Sequence, residues 1–138
     1  MIVDDDKNIL SLMRKFAARA SDADIECFLS PHAALAAFAA TPDSFELVIT
    51  DLEMPGMDGI ELGRQLHELS PATKILLATG SGILTATEAV GKGFCGLLCK
   101  PFPFAALKNA LKFAGVIEPL KTGAGEPDFA PPAVFATA

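Results

Sequence analysis

Asp4, Asp5, Asp51, Thr79 and Lys100 are the residues of this chain best suited to chemistry, because each ends a short apolar run and leads into turn-forming residues. Three carboxylates gathered in one place repel one another and persist at neutral pH only if a cation offsets them. A hard divalent ion suits such a set: carboxylate oxygens, a loop carbonyl and waters make the octahedral shell that Mg2+ prefers. A carboxylate is also a nucleophile able to form an aspartyl phosphate. Lys100 and the metal would neutralise charge on a transferring phosphoryl group, and the Thr79 hydroxyl would bond one of its oxygens. Singly, each residue has a plainer reading: a helix cap for Asp4 or Asp5, a cap or turn for Asp51, a turn for Thr79, a solvated charge for Lys100.

What could gather them is an alternation of strands and helices. Met1 to Val3 reads as a very short strand, followed by the acids and by a helix from Lys7 to Ala20 with Asp6 as its N-cap. Ile25 to Leu29 is a second strand. Ser30 and Pro31 then cap and start a helix through Ala40. The third strand, from Phe45 to Asp51, has the near-continuous apolar character of a strand buried on both faces of a parallel sheet. Pro55, Gly56, Asp58 and Gly59 stop it and lead to a helix through about Leu69. Lys74 to Ala78 is a fourth strand ending on Thr79, Gly80, Ser81 and Gly82. A weak helix at about Leu84 to Val90 follows, then a fifth strand, Gly96 to Cys99, that stops at Lys100 and Pro101. The last helix runs from Phe104 to Ala114.

Five strands alternating with five helices predict an α/β, flavodoxin-like, doubly wound parallel sheet, since each parallel connection needs a helical crossover. In the order 2-1-3-4-5 the first and third strands are neighbours at the switch point. Asp4 and Asp5 then meet Asp51, and Thr79 and Lys100 face the same crevice.

At 138 residues and 51% hydrophobic content the chain makes one domain with its own core. A net charge of −6 argues against nucleic acid as a partner, and no apolar run is long enough to suggest a membrane span. No secretory signal is visible, so a cytoplasmic location is expected. Cys27, Cys95 and Cys99 read as buried hydrophobes, and His32 and His67 as solvated helix residues. Residues 1–117 form the expected domain; 118–138, rich in Pro and Ala without periodicity, read as a disordered tail.

Taken together, strand-Asp-Asp, TDLEMPGMDG, ATG and CKPF resemble the receiver domain of bacterial two-component response regulators, from Met1 to about Gly115. The resemblance implies that Asp51 is the phosphoacceptor and that Asp4 and Asp5 are the acidic pair. It makes Thr79 the switch hydroxyl and Lys100 the phosphate-binding lysine. It further implies that Asp5, Asp51 and the backbone carbonyl of Glu53 hold Mg2+, with Asp4 one step further out or acting through water. A histidine kinase or a histidine phosphotransfer protein would be the donor, the domain would catalyse its own phosphorylation and dephosphorylation, and a downstream protein would read the result. Such a stand-alone receiver would act by regulated contact, or serve as a relay intermediate or phosphate sink.

Leu97 departs from the family pattern, standing where an aromatic switch residue is usual, and the first strand is short. An aspartate-nucleophile phosphohydrolase of the haloacid dehalogenase kind would carry its nucleophile on the first strand, the reverse of the order here. A flavin site would need a phosphate cradle where Asp4 to Asp6 stand.

Overall fold

The computed structural model describes residues 1–116 and 133–134. In chain order the elements are β1 Ile2–Val3, α1 Lys7–Ala20, β2 Cys27–Phe28, α2 Pro31–Ala40, β3 Leu47–Asp51, α3 Gly59–Leu69, β4 Lys74–Thr79, α4 Ala86–Gly91, β5 Gly96–Cys99, α5 Phe104–Phe113 and β6 Ala133–Val134. Every strand pairing is parallel, and the order is β2-β1-β3-β4-β5-β6. The five expected strands take the expected order, and the two-residue β6 adds beside β5. Apart from those two residues, the tail at 118–138 lies outside the described residues.

Side chains of the central strands alternate between two apolar layers, as the pleat requires. Val48, Ile75, Leu77 and Leu97 lie with Phe38, Leu62, Leu66 and Phe94 on the layer formed with α2, α3 and α4. Ile49, Leu76, Ala78 and Leu98 lie with Leu10, Met13, Leu107 and Leu111 on the layer formed with α1 and α5. Burial of each such large side chain contributes about 1.5–3 kcal/mol. A strand covered on both faces has no room for polar alternation, which is why Leu47 to Ile49 in β3 and Ile75 to Ala78 in β4 are unbroken apolar runs.

Helix starts follow local chemistry. The Asp6 carboxylate accepts from the Asn8 and Ile9 amides, Ser30 Oγ from Ala33, Asp58 from Glu61 and Thr85 from Glu88. The Thr85 cap delays α4 to Ala86, two residues after the position its sequence suggests. The second strand is also shorter than expected, because β1 offers β2 only Ile2 and Val3 as partners. Beneath β1 the Met1 ammonium donates to the Leu47 carbonyl at 3.0 Å. Burial lowers its pKa, against the raising influence of Cys27 and Glu26. A cavity of about 320 Å3 opens beside it, lined by Ile25, Phe45, Leu47, Leu111 and Val116 among others.

Two expectations for single residues change. The three cysteines are each only partly buried: Cys27 is in the outer strand β2, and Cys95 and Cys99 flank or end β5. His67 is half-buried on α3, with Nε2 3.2 Å from the Thr73 carbonyl oxygen, whereas His32 is exposed as expected.

Candidate phosphoryl and metal site

The crevice is set by strand register. Val3 pairs with Thr50, so the next residues, Asp4 and Asp51, emerge side by side at the carboxyl ends of β1 and β3. Asp51 pairs with Ala78 and Thr79 with Cys99, which brings Thr79 and the following Lys100 to the same edge. The Lys100 amide donates to the Thr79 carbonyl at 2.8 Å, and the Lys100–Pro101 peptide bond is cis.

The loop that leaves Asp51 is held at both ends: the Leu52 amide donates to Ala78 O and the Gly59 amide to Leu52 O, each at 2.8 Å. Gly59 begins α3 against the backbone of Asp51. A Cβ at Gly59 would lie 2.2 Å from the Asp51 carbonyl oxygen, a distance no side chain tolerates. Further along α3, a Cβ at Gly63 would meet the Phe94 ring at 2.8 Å, so glycine there makes room for that ring.

Lys100 Nζ donates to Asp4 Oδ2 at 2.6 Å and to Asp51 Oδ1 at 3.0 Å. Asp4 is wholly buried, and its other oxygen accepts from the Asp6 amide at 2.8 Å. Both Asp4 oxygens are thereby engaged. Asp5 is exposed, and Asp51 is buried at 6% exposure. Burial pushes the Asp51 pKa above the ordinary carboxylate value and Asp4 and Asp5 push the same way, while the hydrogen bond and charge of Lys100 pull it down. For Lys100, burial works against the charge, but the bonds to Asp4 and Asp51 outweigh it and hold the ammonium above its usual pKa.

One lysine against three acids leaves the crevice short of positive charge. Carboxylate oxygens of Asp4, Asp5 and Asp51 lie within 4.8 Å of one another, and an all-oxygen donor set of this kind fits a hard divalent cation. Glu53, two residues past Asp51, has an exposed side chain on the loop.

Thr79 is 2% exposed at the rim, but its hydroxyl bonds elsewhere. Thr79 Oγ1 lies 2.9 Å from Ser81 Oγ and accepts from the Ser81 amide at 3.2 Å. The sequence puts Ser81 in the small-residue loop without marking it as a partner for Thr79. A hydroxyl two positions after a threonine at a strand end is the signal that would have found it. Leu97, the position of the expected aromatic switch, is buried within the layer that contains Ala86, Ala89 and Phe94.

The receiver-domain model of response regulators matches residues 1–112. The C4-dicarboxylate transport transcriptional regulatory protein DctD of Rhizobium meliloti is 35% identical over 102 residues, covering 73% of this chain and 22% of that protein. The transcriptional regulatory protein ZraR of Salmonella typhimurium is 33% identical over 115 residues, covering 83% of this chain and 25% of that protein. The chain thus spans about a quarter or less of the length of these two relatives. Among solved structures, a response regulator receiver domain protein from Clostridium thermocellum aligns with a TM-score of 0.76 at 26% identity, covering 82% of this chain and 90% of that one. FixJ-N aligns with a TM-score of 0.70 at 31% identity, covering 82% and 89%.

Proposed function

This chain belongs to the response regulator receiver family of two-component systems, and from that premise we propose that Asp51 is its phosphoacceptor, working with Mg2+, Thr79 and Lys100. The observation that carries the reading is the Lys100 ammonium bridging Asp4 and Asp51 at the carboxyl end of the sheet. A signalling role, rather than that of a conventional enzyme, follows from the family.

In the proposed reaction an Asp51 oxygen attacks the phosphorus of a phosphohistidine on a histidine kinase or phosphotransfer protein. An O–P bond forms as the P–N bond breaks, and the electron pair leaves with the imidazole. Burial makes Asp51 a more basic carboxylate and Lys100 favours its ionised form, a combination that suits a nucleophile. Lys100 then shifts from the carboxylates to a phosphoryl oxygen, and its charge is pre-positioned where negative charge develops. Asp5, Asp51 and the Glu53 carbonyl would hold Mg2+, which supplies charge neutralisation at the phosphoryl oxygens. Asp4, with both oxygens already engaged, would bear on that ion through water or through Lys100. Thr79 donates to a remaining phosphoryl oxygen. The phosphorylated form presents a changed surface to a downstream protein in the cytoplasm.

Intact mass after incubation with Mg2+ and acetyl phosphate tests this. A gain of one phosphoryl group is expected, absent in Asp51→Asn and without metal. An equal gain in Asp51→Asn would contradict it.

A further inference from the structure

We propose that Ser81 is a positioning residue: it holds the Thr79 hydroxyl away from the phosphoryl position and turns its release into movement of the 80–84 loop. The proposal rests on the receiver reading above and assigns a role to a residue outside that reading. Thr79 is fixed by its backbone, since it ends β4, pairs with Cys99 and accepts the Lys100 amide. Only its side chain is free to change, and a β-branched side chain has few χ1 states to choose from.

In the structure that choice is spent on the loop. Thr79 Oγ1 and Ser81 Oγ are 2.9 Å apart, the Ser81 amide donates to Thr79 Oγ1, and the Ile83 amide reaches Ser81 Oγ at 3.5 Å. Two hydroxyls and two amides therefore form one short chain. A hydroxyl has a single proton to donate. With Thr79 donating that proton to Ser81 Oγ, a phosphoryl oxygen on Asp51 can recruit it only by breaking the bond between the two hydroxyls, which removes a partner from Ser81 Oγ. The loop that loses it is open to solvent: residues 80–83 are all exposed and Gly82 has φ +67°. Ile83, 75% exposed, moves with it.

Leu97 gives the loop added weight. It is already buried at 2% exposure, so the strand beside Thr79 has no exposed side chain at this position waiting to turn inward. The bond between Thr79 and Ser81 then connects a change at Asp51 to the surface.

The test is titration with beryllofluoride and Mg2+, reading the bound fraction by fluorine NMR and the Ile83 amide by nitrogen-15 NMR. Removing the competing hydroxyl in Ser81→Ala should tighten beryllofluoride binding about 3- to 10-fold, the worth of one hydrogen bond. Ser81→Thr, which keeps a hydroxyl, should stay within about twofold of the wild type. In a Thr79→Ala background Ser81→Ala should change nothing, because there is no hydroxyl left to hold. The Ile83 amide should shift on binding in the wild type and start near the bound position in Ser81→Ala. Unchanged or weaker binding by Ser81→Ala, or the same gain without Thr79, overturns the proposal while leaving the receiver reading intact. A folded wild type that takes up no beryllofluoride overturns both.

Discussion

Thr79 stands between two regions of different build. On one side, β3 and β4 pair through five consecutive residues, and every residue of both strands except Lys74 is buried. On the other, residues 80–83 are all exposed and α4 is six residues long. The fixed region carries Asp51 and, through its neighbours, Asp4 and Lys100. The loosely held region carries Ser81 and Ile83. Chemistry requires geometry that does not move, and signalling requires something that does. On the proposed reading the two needs fall to adjacent segments that share one threonine, which is consistent with local stability varying across a fold.

The contrast should be largest in the core. Leu76→Ala, at a fully buried position of β4, should cost about 2–5 kcal/mol in denaturant unfolding, whereas Ile83→Ala should fall within about 0.5 kcal/mol of the wild type. Comparable losses would mean that the loop is as firmly built as the sheet. Next in size is Gly59→Ala. The added methyl would collide with the Asp51 carbonyl, and a destabilisation of about 1–3 kcal/mol should come with slower uptake of phosphoryl from acetyl phosphate. Normal uptake would show that the close approach of α3 does not position Asp51.

Asp51 itself sharpens the comparison, because the fixed region accepts an electrostatic penalty. Its pKa is raised in the folded state, so the stability it contributes belongs to the protonated form. That contribution is present below the unfolded carboxylate value, about pH 4, and is lost as pH rises through the folded pKa. At neutral pH Asp51→Asn should therefore stabilise the domain, by about 0.5–2 kcal/mol. Mg2+ should raise the melting temperature of the wild type and much less that of the variant. A variant that melts lower, with an unchanged response to Mg2+, would contradict this. The smallest expected effect is at the foot of the sheet. Three apolar residues placed before Met1 would extend β1 into the cavity beside the buried ammonium and raise the melting temperature by about 3–6 °C. No change would mean that the cavity is not a defect of β1.

Much of the fixed region is readable from sequence alone. Apolar runs stopped by acids or turn residues mark β3 and β4, and the strand order then brings Asp4 next to Asp51 without further information. The caps Asp6 and Ser30 are readable because their partners lie two or three residues away. What escapes depends on side-chain rotation or on distant neighbours. The Thr79–Ser81 bond requires one particular rotamer. The half-burial of His67 depends on Thr73 in a separate turn, and the need for glycine at 59 and 63 depends on Asp51 and Phe94. None of these has a periodicity to reveal it. The resemblance implies which residues would do chemistry, but the bond that the Thr79 hydroxyl makes to Ser81 is a property of the fold.

The most direct measurement is to phosphorylate the domain with acetyl phosphate and Mg2+, reduce the acyl phosphate with borohydride, and map the peptides by mass spectrometry. An aspartyl phosphate is reduced to homoserine, which marks its own position. The receiver reading predicts homoserine at position 51 and none in a metal-free control. Homoserine at Asp4 or Asp5, or a stable phosphate on a hydroxyl with residue 51 unreduced, would contradict it.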